Sequence, residues 1–168
     1  MGYVHNVHMS QYIPPTAMHC VTGTYTNVAG QVIDTVCVHR AANAATGVVN
    51  IPIILPSSTT GQQGAMLNSI EVDYELLVAV AVSVTAVLNK VTRGADTAVA
   101  SVAVPTITQD LAAGVAAVVQ DQHKMTVTVT TPAWTDDDEY YLLEMSFECG
   151  AAVTIDVLAA VANYTLRV

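Results

Sequence analysis

The densest group of potential metal ligands and catalytic acids in this sequence is the acidic run from Asp136 to Glu139. Calcium takes roughly six to eight oxygen ligands, so Asp136, Asp137 and Asp138 form a candidate calcium site. The run lacks the spaced acids of a calcium-binding loop, and a solvated turn ahead of a strand is the plainer interpretation. Adjacent acids do not by themselves face each other across a substrate, which argues against a catalytic pair.

Histidine and cysteine spacings provide two further candidates. His19 and His39 are predicted to face each other across a first hairpin, because their positions fit a loop centred near residue 29. Such a pair could share a metal or respond to pH, although a surface pair without function is the simpler interpretation. No C-x-x-C spacing occurs, so Cys20, Cys37 and Cys149 are expected to be free and mostly buried thiols, with a Cys20–Cys37 disulfide as the alternative.

Motifs of known catalytic sites do not occur in the chain. It contains no nucleophile elbow, no phosphate-binding loop and no dinucleotide-binding glycine pattern. Trp134, Tyr140 and Tyr141 lie around one predicted turn, where they could form a platform for sugar rings; packing of Trp134 over the end of the domain is the favoured interpretation. The sequence therefore predicts a protein that is not an enzyme and uses no cofactor.

Charge is scarce and mostly negative. The formal net charge is −9 and charged residues make up 11% of the chain, against a usual share of about 25%. The cationic residues are Arg40, Lys90, Arg93, Lys124 and Arg167. So few cations do not form the basic patch that a nucleic-acid backbone or an anionic membrane requires. So apolar a chain favours contact with further subunits, and we expect an oligomer.

The N-terminal residues show no basic start followed by an apolar segment, so no export signal is expected. The longest apolar-rich run, Leu76–Leu88, has 13 residues and is too short to span a bilayer. We therefore expect a protein made in a cytoplasm and without a transmembrane segment.

The elements that must position these residues are predicted to be strands. The chain has 28 Val and 20 Thr, which suit a pleated sheet, but one Phe and one Trp, so its core must be mainly aliphatic. The clearest alternation starts at Ile70, where apolar even positions oppose Glu71, Asp73 and Glu75. Because the alternation runs too far for one strand, we expect a break near residues 78–81.

Turn residues divide the chain into about eight to ten strands without strand–helix–strand alternation. The sequence thus predicts an all-β, antiparallel two-sheet β-sandwich of jelly-roll type. Residues 1–15 are expected to form an extended N-terminal arm, and residues 16–168 a single domain. Met18–Thr26 and Gln31–Arg40 are predicted to form the first hairpin, and Pro52 indicates that the strand Val48–Leu55 lies at a sheet edge.

Five segments carry a resemblance to a known class of proteins. They are Val49–Pro56, Leu67–Val72, Met125–Pro132, Asp136–Phe147 and Val161–Val168. In residue pattern and strand order over residues 48–168, the chain resembles small β-sandwich virion proteins of tailed bacteriophages. These are the capsid decoration or cement proteins and the related head and tail accessory proteins. The resemblance implies a homotrimer in the virion, bound to the major capsid protein or another virion protein, with no catalytic residues.

We therefore predict a non-enzymatic structural protein that self-associates and decorates or stabilises a larger assembly, such as a phage capsid. The expected interface residues are Tyr3, His5, His8, Tyr12 and Ile13 in the arm, and Tyr164 and Arg167 in the last strand. The alternative is a glycan-binding or adhesion module that uses Trp134, Tyr140 and the acidic loop with calcium. A stable monomer whose melting responds to a ligand or to calcium would favour this alternative.

Overall fold

The computed structural model describes residues 5–29, 36–56, 64–77, 81–93, 100–104, 107–110, 118–119 and 121–167. These residues form twelve strands and one short 3-10 helix. The strands are β1 (Asn6–Ile13), β2 (His19–Thr22), β3 (Tyr25–Ala29), β4 (Val36–Asn43), β5 (Gly47–Ile53), β6 (Ala65–Leu77), β7 (Ser83–Thr92), β8 (Ala100–Ala103), β9 (Ile107–Asp110), β10 (Asp121–Val129), β11 (Glu139–Glu148) and β12 (Val153–Arg167). The 3-10 helix, η1, covers Pro15–Ala17. No helix among the described residues is long and apolar enough to cross a membrane.

The strands form two antiparallel sheets. The larger sheet has seven strands in the order β3-β4-β12-β6-β10-β9, with β1 also paired to β12, and the smaller has the order β2-β5-β11-β7-β8. Without β1, β2, β3 and β9, the two orders are those of a jelly roll, in which β4-β12-β6-β10 packs on β5-β11-β7-β8. The predicted all-β, jelly-roll-like sandwich is confirmed.

The core lies between the two sheets and follows the predicted alternation. On β6 the side chains of Ile70, Val72, Tyr74 and Leu76 are fully buried, whereas the intervening residues point to the opposite face. The Tyr74 ring meets the Phe147 ring of the smaller sheet edge-on, with 5.6 Å between the ring centroids and 71° between the ring planes. Such edge-to-face pairs add to the stabilisation that apolar burial provides.

The last strand, β12, spans the whole length of the larger sheet. On one side it pairs with β6, and on the other with β4 over Val153–Val157 and then with β1 over Ala160–Arg167. Its register with β6 shifts between Val157 and Ala159. The N-terminal segment, predicted to be an extended arm, is extended and pairs with this chain's own β12.

The predicted first hairpin is only partly right. The end of its first strand does pair with the second, because β3 and β4 form a hairpin, but the residues of β2 join the smaller sheet instead. Gly23, at φ 99°, adopts a conformation that favours glycine, and it separates β2 in the smaller sheet from β3 in the larger. His19 consequently pairs with Asn50, whereas His39 pairs with Thr26 and Asp156, so the two histidines do not face each other. A chain that changes sheets at a glycine leaves little trace in a local alternation pattern.

The same change of sheet separates two cysteines. Cys20 lies in the smaller sheet and Cys37 in the larger, and all three cysteines are free thiols. Cys37 and Cys149 are buried and Cys20 is exposed, so the expectation of mostly buried thiols holds for two of the three.

Pro52 does not mark an edge strand, because β5 lies between β2 and β11. Proline is tolerated there since β2 pairs only with residues 48–50 of β5, so Pro52 lies beyond that ladder. The expected break in the long alternating stretch is present: β6 ends at Leu77 and β7 begins at Ser83. Residues 78–80, where the turn was predicted, are outside the described residues.

Candidate functional site

A groove lies on the face of the larger sheet that points away from the smaller sheet. Its cavity volume is about 720 Å³, within the usual range for ligand sites. We call it the outer groove. It is lined by Tyr12, Pro14, Pro15, Thr16, Asp73, Gln122, His123, Lys124, Leu158 and Ala159.

One wall of the outer groove is the segment that leaves the larger sheet after β1. Ile13 is buried in the core, so Tyr12 points the other way and 60% of its surface is exposed. Pro14 is extended, and its carbonyl accepts a hydrogen bond of 3.0 Å from the Ala17 amide. The two prolines thus end β1, turn the chain into η1 and fix the wall beside the Tyr12 ring.

The floor and the opposite wall come from β12, β6 and β10. The register shift of β12 places Leu158 out of the ladder and Ala159 opposite Asp73. Asp73 is the cross-strand partner of Lys124. Gln122 lies two residues before Lys124, on the same face of β10. The groove therefore has an aromatic ring and apolar surface together with a carboxylate, an amide, an imidazole and an ammonium group.

The Lys124 ammonium is shared between two carboxylates of β6. Its Nζ lies 2.9 Å from Glu71 Oε2 and 3.9 Å from Asp73 Oδ1. The hydrogen bond from Lys124 lowers the pKa of Glu71, and the same bond raises the pKa of Lys124. Asn163 donates a second hydrogen bond of 3.3 Å to Glu71 Oε1. Both members of the Glu71–Lys124 pair are therefore charged at neutral pH.

A row of polar residues crosses four strands next to the groove: His39, Asp156, Glu75 and Gln122 are successive cross-strand neighbours. His39 Nδ1 lies 2.6 Å from Asp156 Oδ1. Asp156 is 0% exposed and Glu75 is 3% exposed, although both are acids. Asp156 Oδ2 and Glu75 Oε2 are buried and have no hydrogen-bond partner among the described residues.

Within that row, Glu75 is the acid whose negative charge is disfavoured by its surroundings. Burial raises its pKa, the charges of Asp156 and Asp121 raise it further, and a hydrogen bond from Gln122 opposes the shift. A charged Glu75 is thus destabilised by its surroundings.

The acidic loop is an exposed turn between β10 and β11. The Asp136 amide donates a hydrogen bond of 2.8 Å to Glu139 Oε2, and Lys90 Nζ lies 2.6 Å from the same oxygen. Within the part of the chain that the structure describes, no three His, Cys, Asp or Glu side chains converge on a possible metal position. The structure thus gives the calcium hypothesis for Asp136, Asp137 and Asp138 no support.

The aromatic platform, which the sequence offered as the less favoured interpretation, is not assembled. The Arg167 guanidinium carbon lies 4.9 Å from the centre of the Trp134 ring and covers one face of it. Tyr141 is only 3% exposed and belongs to the core, while Tyr140 is half-buried on the smaller sheet. Among the described residues, Tyr12 is the only predicted site residue with a widely exposed aromatic ring.

The predicted interface residues lie in different environments. Tyr3 is outside the described residues, His5 and His8 are exposed, and Ile13 and Tyr164 are buried in this chain's core. His8 Nδ1 lies 3.2 Å from the Thr165 hydroxyl on β12. Only the exposed members of this set are therefore accessible to a partner in this fold.

Sequence reasoning missed Asp73, Gln122 and Lys124 as members of one site. The alternation of Glu71, Asp73 and Glu75 showed that β6 has a polar face, but the ladder that joins β6 to β10 connects residues about fifty positions apart. No local pattern specifies such a pairing, and the groove exists only after the sheet has formed.

No protein-family description matches this chain, and no curated protein matches it. Among solved structures, the chain is similar to the family 11 carbohydrate-binding module from Clostridium thermocellum in complex with a β-1,3-1,4-mixed-linked tetrasaccharide. The match covers 95% of this chain and 87% of that one, with 8% sequence identity and a TM-score of 0.33. A likeness of this size says nothing about the function of this chain.

Proposed function

We propose that this protein is a non-catalytic carbohydrate-binding module and that the outer groove holds the sugar chain. The observation that carries the proposal is the exposed Tyr12 ring in one groove with Asp73, Gln122 and Lys124. A jelly roll supports the proposal only weakly, because this fold serves lectins and viral capsids alike.

The chemistry of the groove complements that of a sugar ring. A pyranose has a face of C–H groups, which packs on an aromatic ring, and a rim of hydroxyls, each of which both donates and accepts hydrogen bonds. Tyr12 provides the ring. Asp73 accepts, Lys124 donates, and the Gln122 amide does both. A ligand without hydroxyls would leave these polar groups unpaired at a cost of affinity.

The arrangement suits binding better than hydrolysis. A glycosidase holds two carboxyl groups on either side of the scissile bond, one of them protonated. Here Glu71 and Asp73 are neighbours on one face of β6 and share the Lys124 ammonium. Both are therefore paired with a cation on the same side of the groove.

Isothermal titration calorimetry with soluble oligosaccharides tests the proposal. The panel comprises oligomers of glucose, xylose, mannose and glucosamine, the last with and without N-acetyl groups. At least one is expected to bind, and Tyr12→Ala and Asp73→Asn are each expected to weaken that binding about tenfold or more, a loss of roughly 1.4 kcal/mol. The proposal is overturned if no oligosaccharide binds, or if neither variant changes the affinity.

Two matched controls separate the groove from the rest of the surface. Tyr140→Ala removes a partly exposed tyrosine from the smaller sheet, and Asp137→Asn removes an exposed carboxylate from the acidic turn. Neither residue lines the outer groove. Both variants should bind the saccharide like the unmodified protein, and thermal melting of all four variants checks that each is folded.

A second candidate function is self-association as a structural protein, and the edges of the smaller sheet favour it. The edge strands β2 and β8 expose Val21 and Val102, by 57% and 67%. Exposed apolar edge strands invite pairing with another chain. Decoration of a phage capsid is the specific form of this candidate that the sequence predicts.

Light scattering tests the second candidate. A solution mass near three times 17.6 kDa would support the trimer, and the double variant Val21→Lys, Val102→Lys should lower the mass to that of one chain. A mass of 17.6 kDa for the unmodified protein contradicts obligate self-association.

A further inference from the structure

The outer groove lies on a face with an excess of negative charge. Alternation on β6 places Glu71, Asp73 and Glu75 on this face, and Asp156 of β12 is the cross-strand neighbour of Glu75. Among the described residues that line the groove, Lys124 is the only lysine or arginine. Asp73 is the only acid in that lining, but with Glu71 beside it two ionised carboxylates outnumber the Lys124 ammonium. Glu75 and Asp156 are buried, and Asp156 is paired with His39.

The positive charge of Lys124 is already balanced by two neighbouring carboxylates. Its ammonium already lies 2.9 Å from Glu71 Oε2 and within 3.9 Å of Asp73 Oδ1. An anionic saccharide that reached the exposed Lys124 ammonium would therefore lie close to both carboxylates, which repel it. A cleft lined by one sign of charge raises the local concentration of ligands of the opposite sign.

Glu75 lies behind the groove wall and adds little to this charge. Gln122 lines the groove and donates a hydrogen bond to Glu75. Glu75 is 3% exposed, and burial together with the charges of Asp156 and Asp121 raises its pKa, so its charged form is disfavoured. The charge that the groove presents to a ligand therefore comes from Asp73 and Lys124 in the lining and from Glu71 beside them.

The aromatic wall favours the same kind of ligand. Tyr12 presents its ring to the groove, and the face of a tyrosine ring attracts an ammonium group as well as a C–H surface. An amine on a sugar bound against Tyr12 could also donate to Asp73, which has an exposed carboxylate. Ring and carboxylate together thus recognise a sugar that carries a cation.

We propose that the outer groove selects saccharides with protonated amines, such as glucosamine oligomers, over neutral and anionic saccharides. This inference rests on the carbohydrate-binding function proposed above and specifies its ligand class. A hydrogen bond to a charged group contributes more than one between neutral groups, by about 1 kcal/mol or more, and this difference corresponds to roughly a tenfold preference.

Calorimetry at mildly acidic pH, where the amines carry protons, tests the preference. The ligands are tetramers of glucosamine, N-acetylglucosamine, glucose and galacturonic acid, which present a cationic, two neutral and one anionic chain. We expect the glucosamine tetramer to bind about tenfold more tightly than either neutral tetramer, and the galacturonic acid tetramer to bind most weakly. Equal or tighter binding of a neutral or anionic tetramer overturns the inference and leaves the carbohydrate-binding function standing.

Paired variants distinguish a specific site from the general acidity of a chain with a net charge of −9. Asp73→Asn and Asp137→Asn remove one negative charge each, the first inside the groove and the second in the distant turn. Asp73→Asn should reduce the preference for the glucosamine tetramer about tenfold, and Asp137→Asn should leave it unchanged. An equal effect of both variants would show long-range attraction only and would overturn the inference. If no tetramer binds to the unmodified protein, the proposed function itself fails.

Discussion

Replacing Glu75 with Gln should stabilise this protein at neutral pH. Glu75 is a buried acid next to a second buried acid, Asp156, and its Oε2 has no hydrogen-bond partner among the described residues. The amide in Glu75→Gln has nearly the same shape but no charge. It can still accept from Gln122, and its NH₂ group can donate to Asp156 Oδ2, which is also buried without a described partner.

The expected gain is about 1 kcal/mol at neutral pH. A buried polar group without a partner costs about 1–3 kcal/mol, and the lower end applies because Gln122 still donates to the Glu75 carboxylate. In a domain of this size, 1 kcal/mol raises the melting temperature by about 2–4 °C.

The gain must depend on pH, with a sign fixed by the raised pKa of Glu75. Because the folded state binds this proton more tightly than the unfolded state, the stabilisation by the acid form is complete below the unfolded pKa. It is lost as the pH rises through the folded pKa. Unmodified protein and Glu75→Gln should therefore be about equally stable near the pKa of a free glutamate and below it, and they should diverge towards neutral pH.

Denaturant unfolding at several pH values measures this difference, and Glu71→Gln is the matched control. Glu71 lies on the same strand and face, but the hydrogen bond from Lys124 lowers its pKa. Its carboxylate stabilises the fold above the unfolded pKa, and that contribution is lost as the pH falls, so Glu71→Gln should destabilise the protein at neutral pH. The reasoning is refuted if Glu75→Gln destabilises at neutral pH, or if its effect does not change with pH.

Three further predictions concern packing and hydrogen bonds. An added Cβ at Gly47 would overlap the Tyr25 hydroxyl, so Gly47→Ala should cost about 1–3 kcal/mol in urea unfolding, and less in a Tyr25→Phe background; equal costs in both backgrounds would contradict the overlap. Phe147 is fully buried, so Phe147→Ala should cost about 3–5 kcal/mol by calorimetry, and Phe147→Leu should cost clearly less. The buried Thr135 hydroxyl donates to the Ala65 carbonyl at 2.8 Å, so Thr135→Val should cost about 1 kcal/mol in urea unfolding, whereas Thr135→Ser should retain the bond.

The fold class could be predicted because strand alternation is a local property. On β6, β10 and β11 the period-two pattern corresponds closely to the buried and exposed residues of the structure. What failed was the assignment of strands to partners. The β3–β4 hairpin falls within the predicted one, but β2 pairs with β5, and that pairing depends on a sheet change at Gly23 and on contacts between residues about thirty positions apart. Proline at position 52 misled for a related reason, since its effect depends on where the neighbouring strand ends.

The candidate site was predictable only in its parts. Tyr12 was predicted to be an interface residue of the N-terminal arm, and the acidic face of β6 was recognised from its alternation. The sequence could not show that Tyr12 of β1, Asp73 of β6 and Lys124 of β10 line one groove, because β12 must first pair with both β1 and β6. Of the residues that looked most like a site, Trp134 is covered by Arg167, and in the acidic loop Glu139 is engaged by Lys90 and by the Asp136 amide.

The position of β1 links the two candidate functions. β1 pairs with β12 along eight residues of the same chain, and this pairing places Tyr12 in the outer groove. An arm that clasped a neighbour instead would have to leave its own β12 and occupy the same ladder on another chain, as in a strand exchange. That exchange would preserve the groove but build it from two chains, with Tyr12 from one and Asp73 from the other. Sugar binding and arm-mediated self-association are therefore compatible. A monomer and a strand-exchanged oligomer would differ in whether the Tyr12 and the Asp73 of one groove belong to the same chain.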